Sequence, residues 1–271
     1  MKIWKHVCIN VLIIMCFIGV KEGFSFTSTS HWNSNSEAGW GCIDRSQGYH
    51  TLDGSTNTPD PSSALKMVYP AGFTNGAEPA MCWYMFPSQA TEYWVQYYFK
   101  YSSNYYYHSV DNKQTYYFIG TGNSNFYLTV NGSRRVNMVT QTYVTDRHVS
   151  NTGYDPAVEP GRWYKMTAHF VMNSPGVSNG IAQVWLDDKL IINKNTVGFL
   201  SSSQAGQGVR EMQISPVFGG MATMTKPAED YQWYDHTIIS TERQGSFPVL
   251  PIPVSSNKTG IPNPPMIITI N

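Results

Sequence analysis

Ten consecutive residues, Glu92–Tyr101, include seven that are aromatic or β-branched, with no glycine or proline among them. Strand side chains alternate between the two faces of a sheet. One face here would carry Tyr93, Val95, Tyr97, Phe99 and Tyr101, and the other Glu92, Trp94, Gln96, Tyr98 and Lys100. Such a segment needs a core on one side and tolerates a polar-aromatic surface on the other, which fits the interior of an antiparallel sheet.

Similar segments recur along the chain at Ala64–Tyr69, Thr115–Ile119, Phe126–Val130, Val136–Val144 and Trp163–Met172. They continue at Ile181–Leu186, Leu190–Asn193, Val209–Val217 and Gln232–Thr241. Turn signals separate them at Asn131-Gly132, Ser174-Pro175-Gly176, Asn179-Gly180 and Asp187-Asp188. Helical apolar spacing is not sustained beyond two turns anywhere. The pattern predicts an all-β fold, a jelly-roll sandwich of two antiparallel sheets.

Composition narrows the partners. Charged residues make up 13% of the 271, against roughly 25% in average soluble domains. The formal net charge is zero. This excludes a phosphate-tracking surface, and no nucleic-acid partner is expected.

Lys2 and Lys5 precede an apolar run from Val7 to Val20, followed by small residues at Gly23 and Ser25. This describes a secretory signal peptide over residues 1–25. The rival, a membrane anchor, is short of the roughly 20 apolar residues that span a bilayer. Cleavage would leave a secreted, extracellular or periplasmic chain with no membrane contact. Cys8 and Cys16 would leave with the leader, and Cys42 and Cys82 would form one disulfide. Residues 26–63 are expected as an N-terminal arm and loop, 64–245 as the jelly roll, and 246–271 as a proline-rich strap or linker. A monomer is expected.

The remaining strands divide in the same way. Lys165, Thr167 and His169 oppose Tyr164, Met166, Ala168 and Phe170, and Gln183 and Trp185 oppose Ala182, Val184 and Leu186. Glu211 and Gln213 lie opposite Met212 and Ile214. If Trp94, Gln96, Tyr98, Lys100, Gln183, Trp185, Glu211 and Gln213 share one concave face, they make a groove suited to sugar rings. Aromatic rings stack on sugar CH faces while amides and charges meet the hydroxyls. An ordinary solvated sheet face accounts for the same pattern equally well.

Three groups of residues resemble a known family. The first is Lys100-Tyr-Ser-Ser-Asn104 with Asp111-Asn112-Lys113. The second is Gly161-Arg-Trp-Tyr164 with Asn173-Ser-Pro-Gly176, Asn179-Gly180 and Trp185-Leu-Asp-Asp188. The third is Ile214-Ser-Pro-Val-Phe-Gly-Gly220 with Asp230-Tyr-Gln-Trp-Tyr-Asp-His236 and Ile239-Ser240. In order and spacing they resemble the polysaccharide-lyase-like branch of the concanavalin A-like lectin/glucanase jelly rolls, over Ala64 to Thr241. The glucanase signature E-x-D-x-x-E and the R-x-E-x-R and Q-x-H lyase motifs are absent. Paired carboxylates for retaining hydrolysis are absent as well.

The resemblance implies β-elimination on a uronate-containing polysaccharide, or glycan binding without catalysis. Elimination needs a group against the C5 carboxylate, a base for the C5 proton and an acid for the leaving oxygen. His108, Asn112, Lys113, Tyr234 and His236 are of the right types. His169 with Lys165 is the first choice, and Tyr143, Arg147 and His148 form a second group at a strand end. His236 is expected to hydrogen-bond within the sandwich. No cofactor is expected, since zinc and phosphate-loop motifs are missing. A structural Ca2+ on the sandwich rim is compatible with the sequence but has no ligands that can be placed.

Overall fold

The computed structural model describes residues 25–32, 39–46, 48–55, 58–60, 63–142, 145–149, 156–220 and 222–242. The expected leader, the strap at 246–271 and Tyr143 lie outside them. The strands are β1 (Thr27–Ser30), β2 (Trp40–Asp44), β3 (His50–Asp53), β4 (Ala64–Tyr69) and β5 (Ala80–Ala90). Next come β6 (Glu92–Tyr101), β7 (Asp111–Ile119), β8 (Asn125–Asn131), β9 (Val136–Thr142) and β10 (Thr145–Val149). The last are β11 (Trp163–Val171), β12 (Gly180–Leu186), β13 (Lys189–Val197), β14 (Val209–Ile214) and β15 (Asp230–Ser240). Among the described residues there is no α-helix, and no helix is long and apolar enough to cross a membrane.

Two antiparallel sheets face each other. The eight-stranded sheet runs β13-β12-β11-β6-β15-β4-β3, with β1 also on β15, and the seven-stranded sheet runs β10-β9-β8-β7-β14-β5-β2. β15 is long enough to pair β4 along Asp230–Tyr234 and β1 along Thr237–Ser240, while β6 runs along its other side.

The core lies where the alternation of β6 puts it. Tyr93, Val95, Tyr97, Phe99 and Tyr101 are fully buried. They meet the inner face of the other sheet, where Tyr117 and Phe126 pack with Tyr93 and Phe170 at ring separations of 4.9–5.8 Å. Each such ring contributes roughly 1.5–3 kcal/mol by burial alone. Their hydroxyls need partners, and Gln114 supplies several. Its Oε1 accepts from Tyr97, its Nε2 donates to the Tyr101 hydroxyl, and its carbonyl accepts from Tyr234.

The segment expected as an arm is structural. β1 and β3 extend the eight-stranded sheet and β2 the seven-stranded one. These strands of four or five residues gain their order by pairing with longer ones, which segments this short do not reveal in sequence. β5 also escaped the sequence pattern, because Pro87 and Ser88 interrupt it. The expected strand Val209–Val217 stops at Ile214, since Pro216 has no N–H for a ladder.

Cys42 and Cys82, register partners on β2 and β5, form the expected disulfide. A second tie is ionic. The ammonium of Lys226 is buried against the rings of Tyr105 (3.5 Å), Phe218 (4.3 Å) and Tyr69 (4.6 Å). It donates to Asp230 Oδ2 and to the Tyr106 carbonyl, both at 2.8 Å. Desolvation pulls its pKa down to about 8 even with Asp230 beside it.

Two stability changes are expected. Asp230→Asn leaves this ammonium uncompensated and should cost about 3–5 kcal/mol in denaturant unfolding, part of which Lys226→Met restores in the double variant. Cys42→Ser opens a loop of 40 residues and should cost about 4 kcal/mol on the chain-entropy model, read as a shift in the denaturation midpoint.

Candidate functional site

Each sheet presents one outer face, and the candidate residues divide between them. On the eight-stranded sheet the register sets Trp163, Lys100 and Trp233 in one row and Lys165, Tyr98 and Asp235 in the next. Thr167 with Gln96, and Gln183, His169 and Trp94, make two further rows. Glu211 and Gln213 belong to β14 in the other sheet. The expected single groove therefore does not form: their strand crosses to the opposite side of the sandwich, which local alternation cannot reveal.

The groups on this first face are largely committed to one another. Lys165 is 2% exposed and pairs with Asp188 at 2.6 Å. Its backbone N–H donates to Asp187 Oδ1 at 2.9 Å, within a turn whose two residues both have positive φ. His169 lies flat on Trp94 at 4.1 Å, with Nδ1 against Gln183 (3.1 Å) and Nε2 against Glu92 (2.9 Å). Both of its ring nitrogens are thus occupied by protein partners. Tyr98 and Gln96 are buried, and Lys100 lies between the rings of Trp163 (5.3 Å) and Trp233 (4.7 Å). Burial lowers the Lys100 pKa, an effect that Asp53 opposes. Trp94 and Trp185 stack at 5.8 Å and remain partly exposed.

On the seven-stranded sheet a β-bulge decides the arrangement. The β7–β8 register skips Gln114, pairing Lys113 with Thr129 and then Thr115 with Leu128. The extra residue sends Gln114 into the core and puts Lys113 and Tyr116, three apart, on one outer face. Tyr116 pairs with Tyr127 across β8, and the Lys113 ammonium sits over both rings, 5.5 Å from Tyr116 and 4.8 Å from Tyr127. The two rings are 5.0 Å apart. Desolvation, reinforced by the Tyr127 phenol, holds Tyr116 well above the usual phenol range.

The same row continues through Gln213, Trp83 and Gly41 on one side and Val139 and His148 on the other. Gln213 donates to Glu211 Oε1 at 2.6 Å, and Arg210 approaches Glu211 at 3.9 Å. Arg147 pairs in register with Thr140. Lys113 was among the candidates from sequence, whereas Tyr116 and Tyr127 were not. Their signal was the alternation within Thr115–Ile119 and Phe126–Val130, which is readable only once the bulge is known. A pocket of about 260 Å3 at the β5–β6 turn is lined by Glu92, the partner of His169, and by no residue of the Lys113 grouping.

Residues 115–237 match the family model polysaccharide lyase 14. The stretch runs from within β7 almost to the end of β15. No curated protein sequence matches the chain. Among solved structures, it resembles the PL-14 alginate lyase of Aplysia kurodai at 15% identity and a TM-score of 0.61, covering 81% of this chain and 98% of that one. It resembles the endo-β-1,4-glucuronan lyase of the fungus Trichoderma reesei at 13% identity and 0.59, covering 80% and 95%. Alginate lyase Aly36B gives 16% and 0.56, covering 79% and 96%. The fold is that of the polysaccharide-lyase-like jelly rolls, as the motifs implied.

Gly41 permits one feature of the second face. A Cβ there would stand 2.5 Å from a ring carbon of Trp83, so the indole lies across the edge strand only because residue 41 has no side chain. Gly41→Ala is expected to displace the ring, changing the near-ultraviolet circular dichroism and costing about 1–3 kcal/mol.

Proposed function

We propose that this protein is a secreted polysaccharide lyase that cleaves a uronate-containing glycan by β-elimination, with its reaction centre on the outer face of the seven-stranded sheet. The observation that carries this reading is the bulge at Gln114, which gathers one ammonium and two phenols at a single place. The lyase family match and the lyase-like fold support the reaction class, and the Cys42–Cys82 disulfide favours an oxidising compartment.

The chemistry assigns roles. The Lys113 ammonium, helped by the Gln213 amide, balances the charge that builds on the C5 carboxylate. Tyr127, acting as its phenolate beside the Lys113 ammonium, accepts the C5 proton and becomes a phenol, the C4–O bond breaks as the C4=C5 double bond forms, and the Tyr116 phenol gives its proton to the leaving oxygen. Desolvation disfavours the phenolate of Tyr116, which argues against it as the base and leaves it the acid role. Trp83 offers a stacking surface for a neighbouring sugar. His169 and Lys165, on the opposite side of the sandwich, take no part in this reaction.

A second reading, glycan binding without catalysis, is favoured by the partly exposed Trp94–Trp185 stack on the eight-stranded sheet.

The purified chain incubated with alginate, glucuronan, pectate and glycosaminoglycans should develop ultraviolet absorbance from an unsaturated uronate with at least one of them. Lys113→Ala, Tyr116→Phe and Tyr127→Phe should each lower the rate by about 10²–10⁴-fold, while His169→Ala leaves it near the wild-type value. Absence of product from every substrate, together with retention on a glycan array that Trp94→Ala abolishes, would establish the binding reading instead.

A further inference from the structure

At the margin of the first grouping, beside Tyr98, three residues distant in sequence converge at the β15 bulge. His31 follows β1, Asp60 precedes β4, and His236 lies in the irregularity of β15 between Asp235 and Ile238. Their ligand atoms all lie within 4.8 Å of one another. Both imidazoles direct Nδ1 at the same carboxylate oxygen, Asp60 Oδ2, from 2.5 Å for His31 and 3.3 Å for His236. The two rings meet edge to face at 5.0 Å.

The surroundings are arranged to hold these groups. Asp235 accepts the backbone N–H of Asp60 at 2.9 Å on one oxygen and that of His236 at 2.8 Å on the other, fixing two of the three residues from behind. His236 has φ +41°, in the left-handed region that non-glycine residues seldom adopt. Strain of this kind persists only where the surroundings impose it, and it concentrates at functional positions. His236 is 4% exposed, and its Nε2 is buried with no hydrogen-bond partner. Two imidazole nitrogens and a carboxylate oxygen thus converge on one point, a donor set that a cation can occupy.

We propose that His31, Asp60 and His236 form a binding site for one divalent transition-metal ion of the zinc class. Two nitrogen donors and one carboxylate match the borderline preference of such ions, whereas Ca2+ takes 6–8 oxygen ligands. Three protein ligands leave a fourth tetrahedral position on the side of the more exposed His31, open to water or another donor. Asp235 is the positioning residue. The ion would fasten the residues that follow β1 and precede β4 to β15. The inference is independent of the lyase reading.

The test uses the full mature chain, stripped with chelator and dialysed. Titration with Zn2+ in a calorimeter should show one saturable equivalent per chain, and the melting temperature should rise with Zn2+ concentration and fall back with chelator. Co2+ in its place should give the visible d–d absorption of a low-coordinate nitrogen–oxygen site. Loss of even an outer partner of a metal ligand typically costs about 10–100-fold in affinity, so His31→Gln should weaken Zn2+ binding by at least about tenfold. Because His31 is half exposed, this variant should match the metal-free wild type in melting temperature, and His236→Gln is a second arm. Zn2+ titration without saturable binding, affinity unchanged in His31→Gln, or stabilisation by Ca2+ but not by Zn2+ would each overturn the proposal.

Discussion

The two-residue alternation of β6 sets the arrangement of the rest of the molecule. Its inward residues are all large or β-branched, so slipping the strand by one residue would expose four aromatic rings and bury Glu92 and Lys100. That penalty fixes the register of β11 on one side and β15 on the other, and through β15 it fixes β4 and β1. The inner rings also dictate the opposite sheet, because Tyr117 and Phe126 must fill the spaces between Tyr93 and Phe170. The hydroxyls carried into the core then require an acceptor and a donor at one depth, which Gln114 provides.

The polar demand of the core thereby reaches the surface. Gln114 can turn inward only by breaking the alternation of β7, and the break brings Lys113 onto the same side as Tyr116. A residue that satisfies buried tyrosines thus also assembles the candidate reaction centre. The β15 irregularity works in a comparable way, since regular pairing through Asp235–Ile238 would not give His236 its left-handed backbone. Each outer grouping of interest sits beside a departure from ideal strand geometry, and the regular rows between them are occupied by ion pairs and stacked rings that hold each other in place.

Much of the fold was legible because periodicity reports it directly. The limits of Ala64–Tyr69 and Glu92–Tyr101 were read correctly, and the faces of β6, β11 and β12 followed from alternation. Short strands such as Thr27–Ser30 carry no such signal: four serines and threonines become a strand because β15 offers an open edge. The assignment of faces to sheets was equally hidden. Gln213 and Gln183 look alike in sequence, yet they face opposite directions, because crossing from one sheet to the other is decided by long-range pairing. Tyr116 was missed as a candidate, since a one-residue bulge is invisible to a rule with period two. The grouping of His31, Asp60 and His236 escaped because its members are brought together by strand pairing and not by a local motif.

The pairing of β1 with β15 joins Thr27 to Ser240. During synthesis the first strand to emerge therefore has no neighbour until nearly the whole domain has been made. Contacts of such sequence separation slow folding, and the chain stays open for as long as its final strand is missing. β15, the last of the described strands, is the one that pairs with the first, β1, so the two ends of the described domain are held by a single ladder.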